Sequence, residues 1–239
     1  EAMEPLRILP MWYREGGPLY NAMLPEYAGV NENGEALYWV DATVDASKRT
    51  AVAAHEHSYT TTDYSQASYY EQGSLLPKVF GGLSTSFRYK NFDLSATFDY
   101  QIGGKVYDNQ YAQLMQTPIT TGENWGQAIH KDWVKAWSVN NTSSNIPRWQ
   151  NGDNYATSQS TRFLTNAGYF NFQSFSVGYT LPKGLIPEVS KVRVYVMGEN
   201  IAFWSARKGL DPRYSFLGSG YVGTYSPIRN ISGGVQVSF

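Results

Sequence analysis

The chain has 239 residues, of which 16% are charged and 15% aromatic, with a formal net charge of −1 and no Cys. Charge lies well under the roughly 25% usual for soluble domains. Lys and Arg are scattered, which argues against a nucleic-acid surface, and the lack of Cys excludes a disulfide scaffold and any thiolate metal site.

Residues 1–5, Glu-Ala-Met-Glu-Pro, carry neither a basic region nor an apolar core, so no secretory leader is read there. Residues 6–14 and 18–30 form a first pair of extended segments with weak alternation, joined at Glu15-Gly16-Gly17. A long polar stretch, 31–78, follows. It contains His55-Glu56-His57, whose two imidazoles share a face if the segment is extended. A metal site needs a third or fourth ligand, and the remaining histidine, His130, lies in another stretch. Solvated loop histidines are the plainer reading.

Residues 80–90 and 92–102 are the clearest strands. Leu83, Thr85, Phe87 and Tyr89 face one side, against Ser84, Ser86, Arg88 and Lys90. Phe92, Leu94, Ala96, Phe98, Tyr100 and Ile102 alternate with Asp93, Ser95, Thr97, Asp99 and Gln101. This is period-two patterning over eleven residues, with charges on a single face. A membrane-crossing strand needs about 9–11 residues, whereas a soluble strand averages about 5–6. The link at Lys90-Asn91 is very short. Within the next polar stretch, 103–161, residues 123–138 suggest a helix with Trp125, Ile129, Trp133 and Trp137 at spacing four.

Residues 167–181 set Phe175, Val177, Tyr179 and Leu181 against Ser174, Ser176, Gly178 and Thr180. A Pro-rich turn at 182–187 leads into 191–204, where Val192, Val194 and Val196 oppose Arg193, Tyr195 and Met197. A third long polar stretch, 205–226, precedes the last strand, in which Val235, Val237 and Phe239 oppose Gly234, Gln236 and Ser238. The expected fold is all-β, part of a large antiparallel transmembrane β-barrel with about seven strands in this chain. Its short turns and long loops alternate in the order of periplasmic turns and extracellular loops. No run of 18 apolar residues offers a transmembrane helix.

Five segments recur in a known order. They are Gly81-Gly82-Leu83 through Tyr89-Lys90-Asn91-Phe92-Asp93-Leu94-Ser95, then Gly103-Gly104-Lys105-Val106-Tyr107-Asp108, then Val177-Gly178-Tyr179-Thr180-Leu181-Pro182. Arg193-Val194-Tyr195 with Gly198-Glu199-Asn200, and Lys208-Gly209-Leu210-Asp211-Pro212, complete the set. With the terminal strand, they resemble the C-terminal portion of the SusC/RagA-like TonB-dependent outer-membrane transporters of Bacteroidetes. The resemblance implies a barrel of roughly 22 strands with a plugged lumen. It implies import of oligosaccharide or peptide under a SusD-like lipoprotein lid, driven through the TonB complex. The final strand, ending in Phe239, would be the signal read by the barrel-assembly machinery.

On that reading residues 1–239 are the C-terminal part of the barrel. The plug domain, the TonB-binding segment and the other strands would come from the same protein or a companion chain. A partial barrel cannot leave backbone edges open in lipid, where each unpaired group costs several kcal/mol. Substrate or lid contacts are expected among Trp125, Trp133, Trp137, Trp149, Asp211 and Arg213. Arg88, Asp93 and Asp99 are expected on the lumen wall. Asp93 and Asp99 lie about 20 Å apart along a strand, too far for paired acid–base work on a glycosidic bond. No nucleophile elbow, phosphate loop or dinucleotide fingerprint occurs, so neither enzyme activity, cofactor nor resident metal is expected. The expected partners are the barrel strands, the plug, the lipoprotein, TonB, the assembly machinery and outer-membrane lipid, and no nucleic acid. The rival readings are a soluble secreted β-rich carbohydrate-binding module and a secreted hydrolase centred on His55, Glu56 and His57.

Overall fold

Strict alternation and mixed polar sequence build two kinds of structure here. The computed structural model describes residues 6–8, 11–117, 128–153, 155–187, 189–214 and 227–239. Its strands in chain order are β1 (Leu6–Ile8), β2 (Met11–Tyr13), β3 (Asn21–Pro25), β4 (Tyr27–Val30), β5 (Ala36–Val40), β6 (Tyr59–Thr61) and β7 (Tyr69–Ser74). Then come β8 (Val79–Tyr89), β9 (Phe92–Ile102), β10 (Lys105–Tyr107), β11 (Leu164–Asn166), β12 (Tyr169–Thr180), β13 (Lys191–Ser205) and β14 (Asn230–Ser238), with a short helix α1 (Asn109–Leu114). Contacts divide the chain into two units. One holds the described residues up to Leu76, those of Lys105–Asn166, and Arg213 and Tyr214; the other holds Pro77–Gly104 and the described residues of Ala167–Pro212 and 227–239.

The second unit is a single antiparallel sheet in the order β14-β13-β12-β9-β8. Every long strand read from the alternation is there, at nearly the expected bounds. The expected count of about seven is corrected to five among the described residues. The first pair of segments does not make wall strands. It breaks into β1 to β4, and all five residues of β3 are buried. A strand covered on both sides has no face to give to lipid.

Two local devices shape the sheet. Lys90 and Asn91 connect β8 to β9, and Lys90 takes a left-handed φ of 52°, as primed two-residue hairpin turns require at their first central position. On β12, Phe172 pairs with Phe98 and Ser174 with Thr97, so Gln173 is an extra residue, a β-bulge. On β13 the same step runs from Ala202 to Glu199, with one further extra residue and a left-handed Asn200 at φ 51°.

The first unit joins three small sheets, β1-β2-β3-β7, β4-β5-β6 and β10-β11. Its main core packs Leu24, Tyr107, Met115, Trp133, Ala136 and Phe163. The described parts of the polar stretches 31–78 and 103–161 are therefore folded, not structureless. The expected helix over 123–138 is also corrected: residues 123–127 lie outside the described set, and the rest holds only a 3-10 turn, Lys131–Lys135. Asn141 Nδ2 and Ser144 Oγ donate to the Lys135 carbonyl, and the Trp137 amide donates to Ile146. Those bonds take the groups that further helix would use.

The β4–β5 hairpin turns at Asn31–Gly34. Its Asn31 side chain accepts from the Asn33 and Glu35 amides. Gly34 has φ +83°, and a Cβ there would run into the Trp137 indole. Gly34→Ala is expected to destabilise this unit by about 1–3 kcal/mol, read as faster proteolysis within residues 29–41 and 137–153; unchanged protection would show that the turn tolerates a side chain.

Candidate functional site

The candidate site is the sheet itself. Pairing sets side chains into cross-strand rows. On one face Tyr89, Phe92, Tyr179, Val194 and Val235 line up, then Phe87, Leu94, Val177 and Val196, then Thr85, Ala96, Phe175 and Ile231. Beyond the bulge come Leu83, Phe98, Phe172 and Ala202, then Tyr100, Phe170 and Trp204. The bulge changes which positions of β12 face this side, from even numbers before Gln173 to odd numbers after it. Without it, Phe170 and Phe172 would turn to the polar face. Instead Phe98 stacks against both, at 5.8 and 4.7 Å.

This face is open. Phe87 is 63% exposed, Leu83 62%, Val235 62% and Trp204 57%. Phe98 and Phe175 are half-buried by their neighbours rather than sunk in a core. Monomeric soluble proteins rarely show an apolar surface this continuous. From Phe92 to Ile102 a strand runs about 34 Å, and a 35–45° tilt makes that about 25 Å tall, the height of a barrel's apolar band. Aromatics crowd the two ends and aliphatics the middle, as at membrane interfaces.

The opposite face is polar and small. Ser86, Ser95, Ser176, Met197 and Ser232 form one row, and Ser84, Thr97, Ser174, Glu199 and Asn230 the next. Arg88, Asp93 and Asp99 all lie on it, as expected, with Arg88 paired in register to Asp93. Asn171 donates to Asp99 at 2.7 Å. Lys90 departs from its expected polar face. Its ammonium lies 5.4 Å from the Tyr89 ring, because the left-handed turn residue no longer follows strand alternation.

One tie escaped the pattern reading. Arg193 on β13 reaches across β12 to Asp93 on β9, with Nε donating at 3.0 Å and Nη2 to the second oxygen. The guanidinium lies over Gly178, where any Cβ would collide with it. Gly178 inside a long strand was the available signal, since glycine there marks close approach. Tyr195 likewise lies over Gly234 and faces the Arg193 guanidinium at 5.0 Å.

The loop candidates separate. Trp125 lies outside the described residues. Trp133 is buried in the main core, and Trp137 covers Gly34. Trp149 is 48% exposed, 6.2 Å from Trp133. Asp211 precedes a 3-10 turn, Pro212–Tyr214, that contains Arg213. Phe239 ends the chain just past β14 and is 91% exposed. His57 is held by protein groups: Nε2 meets Glu26 at 2.8 Å, and the ring stacks on Trp39 at 4.7 Å. His55 is exposed. Pattern reading also missed Arg162, which faces the Tyr27 and Phe163 rings at 5.7 and 5.0 Å. Burial lowers its pKa, and burial pushes Tyr27 up to about 12 although the Arg162 charge opposes this.

The chain is 27% identical over 180 residues to TonB-dependent receptor P3 of Formosa agariphila, covering 70% of this chain and 17% of that relative. TonB-dependent receptor P26 of the same organism is 26% identical over 178 residues, with the same shares. The chain is thus similar to TonB-dependent receptors. It spans 17% of the length of these relatives. Among solved structures, the RagAB peptide transporter superposes with a TM-score of 0.75 at 23% identity, over 99% of this chain and 25% of that one. The RagAB peptide importer in its open-open state gives 0.73 at 24%, over 99% and 24%. The fold is thus all-β and shared with part of the RagAB transporter. No family model matches.

In the loop unit, one buried carboxylate organises the region around the histidines. Asp41, directly after β5, accepts from the Thr43 amide at 2.8 Å and from the His55 and Glu56 amides at 3.0 and 3.1 Å. Burial would raise its pKa, but these bonds and one from the Thr43 hydroxyl outweigh burial and hold it well below the usual range. Because the folded value is depressed, the stabilisation is complete above the unfolded pKa of about 4 and fades as pH falls through the lower folded value. Asp41→Ala is expected to cost at least about 2 kcal/mol at pH 7 by stranding buried donors. Hydrogen exchange at the His55 and Glu56 amides should show it, with the gap to wild type closing as pH drops below 4; a gap independent of pH would refute the role of the charge.

Proposed function

We propose that this chain is the C-terminal barrel segment of an outer-membrane TonB-dependent nutrient importer. The observation that carries the reading is the apolar face kept on one side of five registered strands, backed by a serine-rich polar face. Hydrocarbon accepts the first face and a wet lumen the second. The edges of β8 and β14, each with one partner strand among the described residues, would be completed by the remaining barrel strands. Those strands and the plug belong to the same protein or a companion chain.

In this reading no bond is made or broken by these residues. Arg88, Asp93 and Asp99 line the lumen, and the polar wall meets the plug. The first unit supplies extracellular loops, where Trp149, Trp137 and Arg213 are the candidates for touching cargo or a SusD-like lipoprotein lid, with Asp211 beside Arg213 at the end of the sheet unit's 167–212 segment. Trp125 is proposed with them from sequence. Trp133 would act from beneath, by holding the loop core. The cargo class is oligosaccharide or peptide, energy comes through TonB, and Phe239 closes the strand read by the assembly machinery.

Val177→Arg, on the apolar face one row in from the Tyr89–Phe92–Tyr179 row, should cost about 1–3 kcal/mol if that face meets hydrocarbon. Ser176→Arg, one residue away on the polar face, should cost far less. Heat-modified gel mobility of the assembled protein in outer membranes reads both. Equal effects would overturn the facing, and a chain that stayed folded and monomeric in buffer without detergent would favour a soluble carbohydrate-binding module instead.

A further inference from the structure

The described residues of the β12–β13 turn, 182–187 and 189–190, do more than reverse the chain. In the series Val192, Val194 and Val196, all on the apolar face, the last two are 45% and 46% exposed, but Val192 is 9%. The turn covers it: Val192 lines a small cavity together with Leu181, Leu185, Ile186 and Val189. The turn therefore folds back onto the apolar side of the sheet. Having done so, it still leaves Leu185 63% and Ile186 44% exposed. A connection that merely reversed the chain would have no reason to present these two side chains.

The neighbouring groups complete a pattern. The Asn91 carbonyl accepts from the Thr180 amide at 2.8 Å, so the β8–β9 turn adjoins the end of β12. Phe92 and Tyr179 pack at 4.6 Å, and Tyr89 stands beside Phe92 in register. Lys90 holds its ammonium 5.4 Å from the Tyr89 ring, on the apolar side of this rim, and Lys183 stands exposed in the turn. Apolar tips, a row of aromatic rings and lysines in or beside two adjoining chain reversals are the chemistry of a bilayer interface.

We infer that this rim is an interfacial anchor: Leu185 and Ile186 enter the boundary between acyl chains and headgroups, and Lys90 and Lys183 pair with phosphodiester headgroups of the adjoining phospholipid leaflet. The inference rests on the membrane reading proposed above and continues its apolar face past the last strand row. It adds a binding surface for lipid phosphate, which fixes the depth of the wall. The cationic pair supplies the charge complementarity.

These residues contain no cysteine, so once any cysteine elsewhere in the polypeptide is replaced by serine, site-specific labels can be placed. The polypeptide carrying this chain is reconstituted in phosphatidylethanolamine/phosphatidylglycerol vesicles with bimane on Leu185→Cys, Ile186→Cys or, for reference, Val177→Cys. Lipids bearing a nitroxide near the headgroup or deep in the acyl chain are the quenchers. Labels at 185 and 186 should be quenched at least twofold more by the shallow nitroxide than by the deep one, and the label at 177 the reverse. Lys90→Gln with Lys183→Gln should at least halve the shallow quenching at 185. Unquenched labels at 185 and 186 beside a quenched label at 177 would overturn the anchor while leaving the wall in the membrane. Labels unquenched at all three positions would overturn both, and shallow quenching unmoved by the lysine changes would overturn the phosphate pairing.

Discussion

A β-strand turns alternate side chains to opposite sides, and a sheet has two useful faces only if all its strands agree on which side is which. Five strands agree here, from β8 to β14, and the agreement survives an interruption. Gln173 adds one residue to β12, and a further residue is added on β13. Each insertion would by itself reverse the facing of everything beyond it. Set beside each other, they let Phe170, Phe172 and Trp204 rejoin the apolar side instead. A slip of one residue anywhere in this sheet would exchange serines for phenylalanines across a whole strand, so register is the constraint from which the faces follow.

Register in turn needs fixing by more than backbone hydrogen bonds, which are equally content at several offsets. The Arg193–Asp93 pair supplies a long-range pin, because it joins the strands on either side of β12 and crosses at the one place where Gly178 leaves room. Its geometry is bidentate, the arrangement that carries most directional information in an ion pair. It sits near the short-turn end of the sheet. At that end, too, lie Lys90, Tyr89 and the folded-back turn, so the most constrained part of the sheet coincides with the rim proposed to meet the bilayer interface. The opposite end of the polar face is broader in chemistry, with Tyr169 and Phe203 packed at 5.6 Å.

The loop unit obeys different physics. It is built from short strands, aromatic packing and hydrogen bonds to buried side chains, as in any water-soluble fold. Asp41 gathers amides from two segments, Arg148 ties Asn33, Glu35 and Asp153 together, and Arg162 lies among aromatic rings. Polar residues that look like solvated loop in sequence thus serve as internal bracing. Surface candidates such as Trp149 stand on that bracing, which keeps them placed while remaining open to a ligand.

The wall strands were legible in the sequence because period two is a local signal, and eleven residues of it at 92–102 leave little choice of structure. The two faces were legible for the same reason, as was the serine-and-charge character of one of them. The helix expected over 123–138 and the strand pair over 6–30 were not, since spacing-four tryptophans and weak alternation fit several structures. Long-range bonds such as Trp137 to Ile146, and burial of β3 on both sides, settled what those segments became. The bulge, the Arg193–Asp93 tie and the fold-back of residues 182–190 onto Val192 also belong to tertiary structure alone. Each depends on what a neighbouring strand or turn presents, and no alternation within one segment encodes its neighbour's register.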